Sequence, residues 1–122
     1  MRITCIHHAQ ITVPEGMENE AREFYCGVLG LPEVPKPAPL AGRGGFWIAA
    51  GDQQVHVGTE ADVDRAATKA HLAYEVSGLA EWRQALQQRG IQVLESVPLP
   101  GFGRFEFRDP FGNRVEFIEA LR

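Results

Sequence analysis

Three histidines and one glutamate are the residues of this chain that could act together chemically. His8, His56, His71 and Glu116 each fall in a segment with the alternating pattern of a β-strand, on the more polar side of that alternation. Three imidazoles and one carboxylate are a sufficient ligand set for a divalent transition metal. The four residues are far apart in the sequence, so only a fold that brings four strands together can make them one site.

The alternation also predicts which face of each strand these residues occupy. His56 lies between Val55 and Val57, whose side chains must point to the opposite face. The neighbours of His71 and Glu116 are apolar in the same way. Helices packed on the apolar faces would therefore leave all four candidate ligands uncovered.

The same order of elements is predicted twice along the chain. The first copy has a strand over 3–13, a helix over 17–28, a proline-rich irregular loop over 32–44, and a hairpin of strands 45–50 and 53–58. The second copy has a strand over 70–76, a helix over 79–89, a short strand over 91–94, and a hairpin of strands 104–107 and 113–118. A repeat of about 60 residues indicates two related modules. We predict an α+β fold of two paired βαβββ modules, residues 1–58 and 70–122, forming a curved mixed sheet around a cleft with the helices outside.

Composition excludes several classes of function. The chain has 122 residues, a hydrophobic fraction of 44% and a charged fraction of 23%, which are typical of one soluble globular domain. A net charge of −4 and the absence of a basic run argue against a nucleic-acid partner. No apolar run is long enough for a signal peptide or a membrane span, so a cytoplasmic location is expected.

Local patterns make four smaller predictions. Cys5 alternates with apolar residues and Cys26 falls in the first helix, so both are expected to be small buried side chains. His7 falls on the apolar face of the first strand and is expected to be a buried imidazole bonded to backbone. The segment 101–103 is expected to form a flexible flap.

Four segments of the chain together resemble a known family. They are His8–Val13 (HAQITV), Ala21–Leu31 (AREFYCGVLGL), His71–Val76 (HLAYEV) and Asp109–Phe117 (DPFGNRVEF). In this order they resemble the vicinal oxygen chelate superfamily, which includes glyoxalases, fosfomycin-resistance enzymes, bleomycin-binding proteins and extradiol dioxygenases. The resemblance covers nearly the whole chain and implies that residues 1–122 form a single glyoxalase-like domain.

The resemblance also implies a metal site. The family takes one ligand from the first and one from the last strand of each half, which implies His8, His56, His71 and Glu116 here. The implied cofactor is a divalent ion, and Zn, Ni, Mn and Fe(II) all suit these ligands. In the family the ion chelates two neighbouring substrate oxygens and stabilises negative charge, and the ligand carboxylate, Glu116 in this chain, can move a proton.

Three departures from the family leave the substrate open. His56 stands where the glutathione-dependent lyase typically has a glutamate or glutamine. Thr12 stands where bacterial forms of that lyase have an arginine for glutathione. The potassium-binding and phosphonate-binding residues of the fosfomycin enzymes are not recognisable. The fold alone cannot name a substrate, because it carries many chemistries.

Three functions are therefore compatible with the sequence. The first is a metal-dependent enzyme that acts on a small oxygenated molecule by lyase, isomerase or addition chemistry. The second is a non-catalytic small-molecule binder of the bleomycin-resistance type. The third, with less support, is an extradiol dioxygenase.

Four further residues are predicted to bind substrate. Gln10 is on the polar face of the first strand, and Trp47 alternates with Phe46 and Ile48, so it could form an apolar wall of the cleft. Arg104 and Glu106 share a strand face beside the strand of Glu116, where they could hold an anionic substrate or simply face solvent. The polar, ligand-bearing face needs a partner surface, which predicts a homodimer in which the first module of one chain faces the second module of the other.

Overall fold

A computed structural model describes all of residues 1–122, which divide into two compact units, residues 1–63 and 64–122. Each unit contains one four-stranded mixed sheet and one main helical segment, arranged as a βαβββ module. The predicted α+β class and the repeated module are thus confirmed. None of the helices has the length and apolar character needed to cross a membrane.

The first unit builds its sheet around the strand that carries His56. Its elements are β1 (His8–Val13), α1 (Glu18–Arg22) continued by a π-helical turn (Glu23–Val28), β2 (Glu33–Val34), a 3-10 helix (Ala38–Arg43), β3 (Phe46–Ala50) and β4 (Gln53–Thr59). The sheet order is β1-β4-β3-β2, with β1 parallel to β4 and the other pairs antiparallel. The segment 32–44, predicted to be irregular throughout, therefore contains β2 and a 3-10 helix.

The second unit repeats this arrangement around the strand that carries Glu116. A 3-10 turn (Arg65–Ala67) precedes β5 (His71–Glu75), α2 (Leu79–Gln88), β6 (Leu94–Glu95), β7 (Phe102–Arg108) and β8 (Arg114–Ala120). The sheet order is β5-β8-β7-β6, with β5 parallel to β8. The last strand of each module therefore lies between the first strand and the third, which places residues from three strands side by side.

The apolar residues on one face of each sheet form the cores. In the first unit Val55 and Val57 of β4 are buried, with Phe46 and Ile48 of β3. In the second unit Phe117 of β8 is surrounded by four other aromatic rings, those of Tyr74, Trp82, Phe105 and Phe107. Side chains alternate across a strand, so burial of this face turns His56 and Glu116 to the other one.

The first strand begins later than the sequence predicted. His8 pairs with Gln54, and β4 itself begins at Gln53, so residues 1–6 have no strand beside them. The prediction of a strand from residue 3 is wrong for this reason. Ile3 and Ile6 are 95% and 71% exposed.

The side chains at the start of the chain are also exposed. Cys5 is exposed, so the expectation that it is buried is wrong, whereas Cys26 is half-buried. Burial, followed by the nearby charge of Glu33, raises the pKa of the Cys26 thiol. His7 is not a core imidazole, since it is exposed and its Nδ1 lies 3.0 Å from Nδ1 of His8.

The expected flap over 101–103 is mostly strand. Phe102 and Gly103 belong to β7 and pair with Ala120 and Glu119 of β8. Their backbone is therefore part of the sheet ladder, and the prediction of a flexible segment there is wrong.

The turn between β7 and β8 depends on one buried carboxylate. Asp109 accepts hydrogen bonds from the backbone N–H groups of Phe111 (2.9 Å) and Asn113 (2.8 Å) and from the Asn113 amide (2.8 Å). Asp109→Ala would leave these donors without their acceptor, and we expect it to lower the free energy of unfolding by about 3 kcal/mol. Urea denaturation followed by circular dichroism measures the change. Asp52→Ala, at the exposed turn of the other hairpin, is the control and should shift stability by less than about 0.5 kcal/mol. Equal losses in the two variants would contradict this account of the turn.

Candidate functional site

The two modules present their candidate ligands at equivalent positions. His8 and His71 are the first residues of β1 and β5. His56 of β4 and Glu116 of β8 each stand opposite the third residue of those strands. Each module therefore supplies one candidate ligand from its first strand and one from its last.

In the second unit, three candidate ligands lie together on one face of the sheet. His71 Nε2 is 3.7 Å from Glu116 Oε1. Glu106 of β7 stands directly opposite Glu116. The ligand atoms of these three residues all lie within 4.8 Å of one another, which is a spacing that one metal ion could bridge.

The backbone fixes which nitrogen of His71 faces this cluster. His71 Nδ1 lies 3.0 Å from the carbonyl oxygen of Lys69. A carbonyl can only accept, so Nδ1 must carry the hydrogen and donate it. In the neutral ring, Nε2 then directs a lone pair toward the Glu116 carboxylate. A histidine whose other nitrogen donates to a backbone carbonyl is the usual arrangement of a metal ligand.

Two arginines neutralise the carboxylates of this cluster. Arg104 donates from Nη1 to Glu116 Oε1 at 3.0 Å. Arg114 donates to both oxygens of Glu106, from Nε at 2.7 Å and from Nη2 at 2.5 Å. The Arg114 hydrogen bond is the main cause that lowers the pKa of Glu106. Glu116 is buried, with 5% of the residue exposed, so its charge depends on such a partner.

Arg114 is a member of the site that the sequence reasoning missed. The sequence did contain an indication of this role. Arg114 and Glu116 are two residues apart and so share one face of β8, just as Arg104 and Glu106 share one face of β7. The antiparallel register pairs Glu106 with Glu116, which places each arginine diagonally across from the carboxylate of the other strand.

In the first unit, three aromatic rings from adjacent strands form a stack. His56 of β4 stacks on Trp47 of β3, with centroids 3.8 Å apart and an interplanar angle of 1°. On its other side His56 stacks on His8 of β1, at 4.1 Å and 17°. His56 Nε2 lies 3.0 Å from the side-chain oxygen of Gln54 and donates to it. Burial, followed by the charges of His8, His7 and Lys36, lowers the pKa of His56, so the ring is neutral at pH 7.

This stack sets a condition on shared metal ligation. The lone pair of an imidazole nitrogen lies in the plane of its ring, and the planes of His8 and His56 are nearly parallel. Two nearly parallel stacked rings cannot both direct lone pairs at one ion. Joint binding of a metal by His8 and His56 therefore requires one of the two rings to turn.

The four predicted substrate-binding residues lie next to candidate ligands within their own units. Gln10 pairs with His56, and its amide lies so close to Gly58 that an added Cβ there would be 2.5 Å from Gln10 Nε2. Trp47 stacks on His56, as described above. Arg104 contacts Glu116 directly, and Glu106 stands opposite Glu116 on the neighbouring strand. Both sheets therefore surround their central candidate ligand with polar or aromatic groups.

Comparison with known proteins identifies the family. The profile of the Glyoxalase/Bleomycin resistance protein/Dioxygenase superfamily matches residues 6–117. The chain belongs to this superfamily. A protein from Bacillus anthracis assigned to the glyoxalase family is 42% identical, with 99% of this chain and 100% of that chain covered and a TM-score of 0.90.

Two more distant structures show the same fold in proteins of different classes. The fosfomycin resistance protein FosX from Listeria monocytogenes, solved with Mn(II) and sulfate, is 14% identical with a TM-score of 0.77, covering 98% of this chain and 93% of that one. The antibiotic binding protein TnmS3 from Streptomyces is 18% identical with a TM-score of 0.73, covering 98% of this chain and 100% of that one. A search of curated proteins gave no match. The glyoxalase superfamily fold is thus shown, and function must be argued from the site.

Proposed function

We propose that this glyoxalase-superfamily protein is a metal-dependent enzyme that acts on a small oxygenated substrate through two neighbouring oxygens. The observation that carries the proposal is the pair formed by His71 and Glu116. The Lys69 carbonyl fixes the imidazole so that its free nitrogen faces a buried carboxylate oxygen 3.7 Å away. Two electron-rich atoms held in this way are stabilised by a cation between them.

The donor set fits a divalent transition metal. We propose that His8, His71 and Glu116 supply the two-histidine, one-carboxylate set of this site, with His56 as a fourth ligand once a ring of the stack turns. The ion would be Zn, Ni, Mn or Fe(II), and when bound it supplies Lewis-acid stabilisation of negative charge on substrate oxygens. FosX was solved with Mn(II), which agrees with this choice of ions.

The surrounding residues have distinct proposed roles. Glu116 is the proposed catalytic base: its Oε1 faces His71 and would bind the ion, and Oε2 is the atom that would take a proton from the substrate and return it. Trp47 would shield the substrate from water, and Gln10 would orient it by hydrogen bonds. These assignments treat residues 1–122 as one functional domain of two modules.

One observation favours a second candidate, a non-catalytic small-molecule binder. Both carboxylates of the cluster, Glu106 and Glu116, are already neutralised by arginines, so the cluster is electrostatically balanced without a metal. The flat stack of Trp47, His56 and His8 would suit an aromatic ligand. TnmS3, described as an antibiotic binding protein, has the same fold.

A panel of substrates separates the two functions. Hemithioacetals, fosfomycin with thiols, and catechols are each incubated with metal-free protein and with protein reloaded with Mn, Ni, Zn or Fe(II). Turnover that appears on reloading and disappears with chelator supports the enzyme, and catechol cleavage would specify a dioxygenase. Tight ligand binding without turnover of any member would support the binder instead.

We also propose a homodimer in which the first module of each chain faces the second module of the other. His8, Gln10 and His71 are exposed on the ligand-bearing faces of β1 and β5, and the apolar side chains of Ile3 and Ile6 are uncovered. Light scattering at micromolar concentration is expected to give twice the chain mass of 13.5 kDa. A stable monomer would remove the exchanged arrangement and leave pairing within one chain.

A further inference from the structure

Arg104 divides its hydrogen bonds between a loop and a candidate metal ligand. Its Nε and Nη2 donate to the carbonyl oxygen of Val97, at 3.1 Å and 2.7 Å. Its Nη1 donates to Glu116 Oε1 at 3.0 Å. The guanidinium is therefore held in place by Val97 while one end reaches the buried carboxylate.

We propose that Arg104 recognises an anionic group of the substrate and that metal binding at Glu116 frees it to do so. The substrate class is then a small 2-hydroxy acid: its hydroxyl and one carboxylate oxygen would be the neighbouring pair at the metal, and its second carboxylate oxygen would accept from Arg104. This inference rests on the proposed metal-dependent function and adds the charge of the substrate to it.

Charge balance is the first argument. Glu106 and Glu116 contribute two negative charges, Arg104 and Arg114 contribute two positive charges, and the cluster sums to zero with His71 neutral. A divalent ion would add two positive charges to a partly buried site. A substrate with one negative charge halves this excess, whereas a neutral substrate leaves all of it uncompensated, which is costly away from water.

The second argument is the geometry of Arg104. A divalent ion that takes Glu116 as a ligand competes with Arg104 for the same carboxylate charge. Arg104 keeps its two bonds to Val97, so the side chain stays where it is with Nη1 unoccupied. A guanidinium is always charged and is suited to bind carboxylate or phosphate oxygens.

The other arginine of the cluster does not have this freedom. Arg114 binds both oxygens of Glu106 with two donors, and Glu106 stands opposite the proposed ligand on the next strand. A bidentate pair of this kind is stronger than the single contact that Arg104 makes with Glu116. Arg104 is therefore the recognition residue, and Arg114 holds Glu106 in place.

Glycolate and glycolamide provide the test, because they offer the same neighbouring oxygens and differ in charge. Each is titrated into Mn²⁺-loaded protein while the water-proton relaxation rate of the bound ion is measured, with a protein-free Mn²⁺ titration as blank. We expect glycolate to bind at least about 10-fold more tightly than glycolamide. Glycolate should also tighten Mn²⁺ binding by the factor by which Mn²⁺ tightens glycolate binding.

Variants assign the effect to one residue. Arg104→Gln is expected to keep Mn²⁺ and to reduce the glycolate preference by about 10-fold, to the part that the bond between carboxylate and metal provides by itself. Arg104→Lys keeps the positive charge but lacks the planar set of guanidinium N–H donors, so it should give an intermediate preference for glycolate. Arg83→Gln, which removes the arginine of the Arg83–Glu95 pair in the same unit, is the matched control and should behave as wild type. Mn²⁺ binding without a glycolate preference, or a preference that is the same in wild type and Arg104→Gln, would overturn this inference alone. Failure of the wild type to bind Mn²⁺ would overturn the proposed function and this inference with it.

Discussion

Replacing Glu116 with glutamine is expected to reduce turnover of a processed substrate by about 10²–10⁴-fold, the usual contribution of a general acid–base group. Glutamine keeps the size of the side chain, and its carbonyl oxygen can still accept from Arg104. It cannot take a proton from substrate, and it is a weaker ligand for a divalent ion. The rate under saturating metal, measured with the most active member of the panel, gives the effect.

The control for this change is Glu75→Gln. Glu75 is an exposed carboxylate on β5, the strand of His71, and lies outside the cluster of three candidate ligands. It should retain the wild-type rate. A Glu116→Gln protein that folds normally and keeps full activity would rule out Glu116 as the base.

Removing the His71 imidazole is expected to abolish stabilisation of the fold by metal. A ligand present at 100 times its dissociation constant stabilises the native state by about 2.7 kcal/mol. His71→Ala removes a direct ligand, so we expect the metal affinity of this variant to fall strongly. The fall should exceed the 10–100-fold that is typical when a residue hydrogen-bonded to a ligand is lost. Urea denaturation with and without Mn²⁺ measures the difference between the two proteins.

Two conditions sharpen this experiment. Asp52→Ala is the control, because Asp52 is an exposed carboxylate at the turn between β3 and β4 and is not a proposed ligand. The stabilisation should also weaken as pH falls below about 6, since ligand histidines bind metal only when neutral. Equal metal stabilisation of wild type and His71→Ala would exclude His71 from the site.

Most of the fold could be predicted because burial of one sheet face leaves a two-residue period in the sequence. Val55 and Val57 point into the core of their module, and this alone places His56 on the opposite face. Glu116 between Val115 and Phe117 follows the same rule in the second module. The repeated order of elements then predicted two sheets of the same topology, which the structure confirms.

The wrong predictions have a different origin, because they concern the ends of strands. A strand can extend only as far as the neighbouring strand with which it pairs. Residues 3–6 alternate like a strand, yet β4 begins at Gln53 and offers them nothing to pair with. Phe102 and Gly103 looked like a flexible segment, but β8 extends to Ala120 and pairs with them. The local sequence of one strand does not indicate how long the neighbouring strand is. The ends of strands therefore depend on tertiary structure.

The detailed contacts of the candidate site likewise could not be predicted from the alternation of polar and apolar residues. The pattern placed Arg104 and Glu106 on one face of their strand. It did not show that Arg104 would also donate two hydrogen bonds to the carbonyl oxygen of Val97. It placed Trp47 on a wall of the predicted cleft without showing that its ring would stack on His56. These contacts depend on side-chain rotamers and on a loop, which a two-residue period does not describe.

The metal content of the protein tests the central proposal most directly. Wild type and His71→Ala are purified without chelator and without a histidine tag, then exposed in turn to Zn, Ni, Mn and Fe(II) and analysed by mass spectrometry of the metals. We expect about one tightly held ion per wild-type chain with at least one of these metals, and we expect His71→Ala to lose that ion. A wild-type protein that retains no ion under any of these conditions would contradict the metal-dependent function and favour the binding protein.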